Sequence, residues 1–151
     1  MIKDIFCDLD GTLYRDGISP KDIEAINEAR LNGINFNIAT GRVYKHSVNI
    51  LKEVASGGYL ICENGSYIYD PDGNCIHKTS LTDEQIKKII EIYRSLDYID
   101  PSDDVIYFKY EGQIIMTRDG SSADYFTKGY EVDESFMDRD SYDNKVGNIG
   151  I

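Results

Sequence analysis

Short apolar runs alternate with helix-spaced apolar positions through the first 80 residues. Ile2–Leu9 reads as a buried strand. In SPKDIEAINEARLNG, Ile23, Ile26 and Ala29 mark one face of a helix. Ser19 suits its cap, Pro20 its first turn, Asp22 the capping-box spacing and Gly33 its end. INFNIATGR reads as a second strand running into a loop. Val43, Ser47, Ile50, Leu51 and Val54 then recur at helical spacing, and YLICENGS reads as a third strand. A β-α-β-α-β order of this kind predicts parallel strands joined by right-handed crossovers.

The pattern changes after Ser66. SYIYDPDGNCIHK predicts a hairpin around Pro-Asp-Gly. Thr82 with Gln85 opens another helix, whose apolar face is Ile86, Ile89, Ile90, Tyr93 and Leu96. VIYFKYEGQIIMTR predicts a second hairpin turning at Glu111-Gly112, and a weaker helix is expected over Ser122–Lys128. Residues 131–143 are acidic and almost without periodicity, and KVGNIGI reads as the beginning of a strand. The helix at 82–96 and its hairpin read as a separate α+β unit joined near residue 80, giving two parts, 1–81 and 82–151.

Charge narrows the partners. The 151 residues carry 27 acids against 16 Lys and Arg, a net charge of -11. Such a surface repels nucleic acid and anionic lipid, so neither nucleic acid nor membrane is an expected partner. A phosphate ligand would need donors of its own within the site. Cys7, Cys62 and Cys75 lack C-x-x-C spacing and read as free thiols, with Cys7 and Cys62 in apolar runs taken as buried. No signal peptide or long apolar span is legible, which points to the cytoplasm.

The chemistry concentrates in IFCDLDGTLY. Asp8 and Asp10 project to one side, where a strand of a parallel sheet ends and α/β folds bind ligands. Two close carboxylates call for an intervening cation such as Mg²⁺, or for a division of labour between an anionic nucleophile and an acid. Gly11 allows a sharp turn and Thr12 offers a hydroxyl to orient a carboxylate. The plainer alternative is an Asp-Gly turn. Thr40-Gly41 presents a hydroxyl and backbone donors at a strand-to-helix junction, suited to phosphate, with a simple helix cap as its alternative. Arg42 suits a substrate phosphate or sugar, or plain solvation. Asn64 either faces substrate or belongs to an Asn-Gly turn. His46 and His77 have no metal-ligand partner at recognisable spacing. The clusters Asp103-Asp104 and Asp138, Asp140, Asp143 read as solvated acidic surface.

FCDLDGTLY resembles the first motif of the haloacid dehalogenase-like (HAD) superfamily of phosphatases. NIATGR resembles its second motif, and LICENGS followed by a hairpin is similar to the Cof-type branch with a type IIB cap. The resemblance implies a Rossmann-like parallel-sheet core with an inserted α+β cap, each incomplete here. It implies that Asp8 attacks phosphorus, that Asp10 protonates the leaving oxygen and later activates water, and that Thr40 and Gly41 hold the phosphoryl oxygens. Mg²⁺ would bind the Asp8 carboxylate and the Asp10 carbonyl oxygen, and the substrate would be a small phosphorylated metabolite, such as a sugar phosphate.

Similar proteins continue well beyond this length. The resemblance calls for a lysine and a Gly-Asp-x-x-x-Asp-like metal motif with no counterpart in these 151 residues. The chain thus resembles the first core half and the start of a cap. On this reading its own turnover is expected to be impaired, and the strand at 2–9 to present an edge open to self-association. The main alternative is a non-catalytic phosphate-binding or assembly module built on the same fold. A receiver-like domain phosphorylated on Asp8 fits less well, because of the Thr-Gly-Arg motif and the cap-like insert.

Overall fold

The first apolar run becomes β1 (Asp4–Asp8), followed by α1 (Pro20–Leu31), β2 (Asn35–Ala39), α2 (Tyr44–Glu53) and β3 (Leu60–Cys62). This computed structural model describes residues 2–54, 57–100, 104–119 and 129–151. β1, β2 and β3 are parallel neighbours. β4 (Tyr67–Tyr69) and β5 (Cys75–Lys78) extend the sheet antiparallel, in the order β1-β2-β3-β4-β5. The chain is therefore an α/β protein with a Rossmann-like parallel sheet.

Local chemistry explains the element ends. Ser19 caps α1, accepting from the Asp22 N–H at 3.2 Å and donating to Asp22 Oδ2 at 2.7 Å. Gly33 then takes a left-handed φ of 74°, which ends the helix without a Cβ clash. Asp70 closes the β4–β5 turn by accepting the Asp72 and Asn74 backbone N–H groups at 3.0 and 2.8 Å.

Leu9, Ile26, Phe36, Ile38, Ile50, Val54, Leu60 and Cys62 form the core of this sheet and its helices. Each such burial is worth about 1.5–3 kcal/mol. Buried Asn37 ties the strands together, donating from Nδ2 to the Ile5 carbonyl at 3.1 Å and accepting the Tyr59 N–H at 2.8 Å. Gly58 packs against β2 so closely that a Cβ there would lie 1.8 Å from the Phe36 carbonyl oxygen.

The reading of Ile2–Leu9 as a buried strand is corrected. β1 is an edge strand that pairs with β2 alone among the described residues. Only Leu9 is fully buried, Ile5 and Cys7 are half-buried, and Phe6 is 59% exposed. Cys7 is accordingly not a buried thiol, while Cys62 is, and Cys75 is exposed.

The chain forms two units, Met1–Thr79 and Ser80–Ile151. In the second, α3 (Asp83–Ser95) carries the Thr82–Gln85 capping box, with Gln85 N–H on Thr82 Oγ1 at 3.2 Å and Thr82 N–H on Gln85 Oε1 at 2.9 Å. β6 (Tyr107–Tyr110), β7 (Gln113–Met116), β8 (Glu131–Val132) and β9 (Val146–Gly150) form a second sheet in the order β8-β7-β6-β9. The β6–β7 hairpin turns at Glu111 and Gly112, both with positive φ.

The acidic stretch 131–143 is more ordered than its sequence suggests. Phe136 and Tyr142 are fully buried against Ile86, Ile90 and Phe108, and Tyr142 Oη donates to the Phe136 carbonyl at 3.0 Å. The helix expected over Ser122–Lys128, and Asp103, lie outside the described residues. No helix among the described residues is long and apolar enough to cross a membrane.

Candidate active site

Strand register assembles the site. Asp8 sits beside Ala39, and Ala39 beside Ile61, so β1, β2 and β3 end together. The segments that follow, Leu9–Tyr14, Thr40–Val43 and Glu63–Gly65, leave the same end of the sheet. Ligands bind at this end in parallel α/β folds. Asp10, Gly11, Thr12, Thr40, Gly41, Arg42 and Asn64 belong to these three segments, and Asp8 is the last residue of β1.

The two aspartates are held differently. Thr12 Oγ1 donates to Asp8 Oδ2 at 2.9 Å. Asp8 Oδ1 has no hydrogen-bond partner among the described residues. Gly11, at φ 77°, makes the turn that returns Thr12 to Asp8, and the Tyr14 N–H closes it on the Leu9 carbonyl at 2.8 Å. Asp10 meets the Arg42 guanidinium through both carboxylate oxygens, Nε donating to Oδ2 at 2.7 Å and Nη2 to Oδ1. Arg42 also lies over the Tyr14 ring, its Cζ 5.1 Å from the centroid. Its remaining nitrogen, Nη1, is shut off from solvent without a hydrogen-bond partner.

The second and third segments interlock. Thr40 is buried, and its Oγ1 accepts the Arg42 N–H at 3.1 Å, leaving the hydroxyl hydrogen to donate elsewhere. Thr40 is not the helix cap, because α2 is capped at Val43. The Asn64 N–H donates to the Thr40 carbonyl at 3.2 Å, and the Glu63 N–H to the Arg42 carbonyl at 3.0 Å. A Cβ at Gly41 would lie 3.1 Å from Asn64 Oδ1, so glycine there lets the Asn64 side chain approach the loop. Glu63 and Asn64 both adopt left-handed φ, 54° and 57°. Asparagine tolerates this conformation and glutamate less so, and strain of this kind costs about 1–3 kcal/mol per residue.

Two residues of the site escaped the sequence reading. Tyr14 lies inside the quoted first motif, yet its stacking on Arg42 had no signature of its own. Glu63 is fully buried behind the loop, and the visible sign was a charge closing an apolar run. Cys7 neighbours the site, its Sγ 3.2 Å from the Asp8 carbonyl oxygen. Burial first, then the Asp8 and Asp22 charges, push its thiol pKa up, which makes it a poor nucleophile.

The donor set suits a hard cation. Asp8 Oδ2 accepts a single hydrogen bond and keeps a lone pair for a metal while Oδ1 stays open, and the Asp10 backbone carbonyl accepts no hydrogen bond among the described residues. Both Asp10 carboxylate oxygens are engaged by Arg42, so the carbonyl is the Asp10 atom left for a metal. No group of three or more His, Cys, Asp or Glu able to hold a metal occurs among the described residues. The chain by itself thus offers part of a coordination shell.

Residues 5–149 match the family model for haloacid dehalogenase-like hydrolase. The chain belongs to this family. It is 28% identical over 99 residues to phosphatase YwpJ of Bacillus subtilis strain 168, covering 64% of this chain and 35% of that protein. It is 32% identical over 93 residues to the 5-amino-6-(5-phospho-D-ribitylamino)uracil phosphatase YcsE of the same organism, covering 60% of this chain and 37% of that protein. Among solved structures, the HAD subclass IIB sugar phosphatase BT4131 superposes with a TM-score of 0.74 at 21% identity, over 95% of this chain and 56% of that one. The haloacid dehalogenase-like chain thus spans little more than a third of those two curated relatives and about half of that structure.

Proposed function

We propose that this chain carries the nucleophile half of a Cof-type phosphatase of small phosphorylated metabolites, with Asp8 as the nucleophile. The observation that carries this reading is the asymmetry of the two aspartates: one Asp8 oxygen is oriented by Thr12 and the other is open, while both Asp10 side-chain oxygens are held by Arg42. Named phosphatases among the similar proteins support the reaction class.

In the first step, Asp8 Oδ1 attacks phosphorus and the bond to the leaving oxygen breaks. Asp10, having first taken up a proton from solvent, gives it to that oxygen, and an aspartyl-phosphate forms. In the second step, Asp10 accepts a proton from water, whose oxygen attacks phosphorus. The acyl-phosphate bond then breaks, freeing Asp8 and inorganic phosphate. Thr40 Oγ–H and the Gly41 backbone hold the phosphoryl oxygens, Gly11 and Thr12 support Asp8, and Asn64 supports the loop through its N–H on the Thr40 carbonyl. Mg²⁺, held by the Asp8 carboxylate and the Asp10 carbonyl, would supply positive charge against the phosphoryl oxygens.

We assign residues 1–81 to the core and 82–151 to a cap that selects the leaving group. The lysine and second acidic metal motif implied by the resemblance have no counterpart in these 151 residues. Loss of one stabilising donor commonly costs about 10²–10³-fold, so turnover by these residues alone is expected to be weak.

Hydrolysis of p-nitrophenyl phosphate, with and without Mg²⁺, tests the reading against Asp8→Asn. Turnover that requires Mg²⁺ and disappears in Asp8→Asn supports it. Turnover indifferent to the substitution removes Asp8 as the nucleophile. Phosphate binding that survives Asp8→Asn, with no turnover in the parent, favours the non-catalytic binding module.

A further inference from the structure

Arg42 sits in the second motif, where a substrate-binding arginine is an easy expectation. Two of its guanidinium donors are committed to Asp10. Nε and Nη2 form a fork on the two Asp10 oxygens, and Nη1 is closed off from solvent. The backbone N–H is held by Thr40 Oγ1 at 3.1 Å. The Tyr14 ring lies 5.1 Å from Cζ, and Tyr14 itself forms an isolated bridge with Asp10. Arg42 is therefore anchored at both ends, by the second strand's loop and by the first strand's turn. The two fork donors meet an incoming phosphoryl group only by leaving Asp10, and Nη1 is closed off from solvent.

We propose that Arg42 is a positioning residue: its planar fork fixes the Asp10 carboxylate for proton transfer, and it does not bind the phosphoryl group. The proposal rests on the phosphatase reading. A carboxylate on two free torsions samples many directions, whereas a two-point contact to a planar guanidinium leaves one orientation. Proton transfer is sensitive to such placement, and misplacement by about 1 Å can cost about 10²-fold. The contact is also suited to function more than to stability. Asp10 is 54% exposed, and pairs of such exposure add about 0–1 kcal/mol.

Leaving-group chemistry supplies the test. An aryl phosphate expels a stabilised phenolate and needs little proton donation, whereas an alkyl phosphate must have its leaving oxygen protonated. kcat/KM reports the steps up to departure of that oxygen, so it isolates the first role of Asp10. Arg42→Gln and Arg42→Lys are compared with the parent and with Asp8→Asn, using p-nitrophenyl phosphate and a simple alkyl phosphate on the purified protein. Lysine retains the charge but cannot form the fork.

The expected result is a fall of about 10²-fold for the alkyl ester in both Arg42 variants, against a few-fold for the aryl ester. Equal losses on both esters, or full activity in Arg42→Lys, overturn the proposal while leaving the phosphatase reading in place. Absence of any Asp8-dependent turnover of either ester overturns that reading and this proposal with it.

Discussion

The Thr12 hydroxyl donates to Asp8 Oδ2 at 2.9 Å across the turn made by Gly11, and leaves Oδ1 as the open oxygen of that carboxylate. A hydrogen bond to a charged acceptor contributes about 1.5–3 kcal/mol. Thr12→Val is therefore expected to lower kcat/KM by about 10–100-fold, and Thr12→Ser to retain most of it. Steady-state kinetics on p-nitrophenyl phosphate checks both.

Thr40 combines a buried hydroxyl with an uncommitted hydrogen. Thr40→Val removes that donor with little change of shape. Its expected effect is weaker inhibition by inorganic phosphate, by about 10-fold, together with a lower melting temperature, because the Arg42 N–H also loses its acceptor. Competition assays with orthophosphate measure it.

Gly58 and Asn37 hold the parallel strands together. A Cβ at Gly58 would fall 1.8 Å from the Phe36 carbonyl oxygen, so Gly58→Ala must move backbone. Its expected cost is at or above the top of the roughly 1–3 kcal/mol typical of overpacking. Asn37→Leu leaves the Ile5 carbonyl and the Tyr59 N–H without the side-chain partner each now has, and is expected to cost about 1–3 kcal/mol per lost partner. Urea unfolding followed by circular dichroism reads both.

Two carboxylates tie acid stability to named turns. The Asn74 side chain, with backbone N–H groups of the β4–β5 turn, holds Asp70 below the ordinary aspartate value of 3.8. The Tyr142 N–H, with the Ser141 side chain, does the same for Asp83. A lowered folded-state pKa gives stability that is complete above the unfolded value and is lost as pH falls through the folded one. Stability is thus expected to decline as pH drops below about 3.8. Asn74→Ala should reduce stability at neutral pH and flatten its decline with acid, because Asp70 then titrates nearer its unfolded value. Unfolding curves between neutral and acid pH show this as a difference that shrinks toward low pH.

Much of this architecture was legible in the pattern of residues. Ser19, Thr82 and Gln85 carry their capping chemistry in local spacing, and the β4–β5 turn is written in Asp70-Pro71-Asp72-Gly73. Asp8, Asp10, Thr40 and Asn64 were singled out as candidates, and strand register brings their segments to one end of the sheet. What escaped the reading depends on contacts distant in sequence. The apolar run of β1 reads as buried, and only the separate expectation of an open edge at 2–9 agrees with Phe6 at 59% exposure. Arg42 has the same spacing whether it meets solvent, substrate or Asp10. Phe136 and Tyr142 are isolated aromatics in an acidic stretch, and tertiary packing alone shows that they close a core.

The central claim is that Asp8 becomes phosphorylated. The measurement is mass spectrometry of the protein after brief exposure to a small phosphate donor, such as acetyl phosphate, with Mg²⁺ and an acid quench. Peptide mapping is run on the parent and on Asp8→Asn. The account predicts a phosphoryl group on the peptide carrying Asp8, lost on treatment with hydroxylamine and absent from Asp8→Asn. A phosphoryl group on another residue, or the same adduct level in Asp8→Asn, would contradict it.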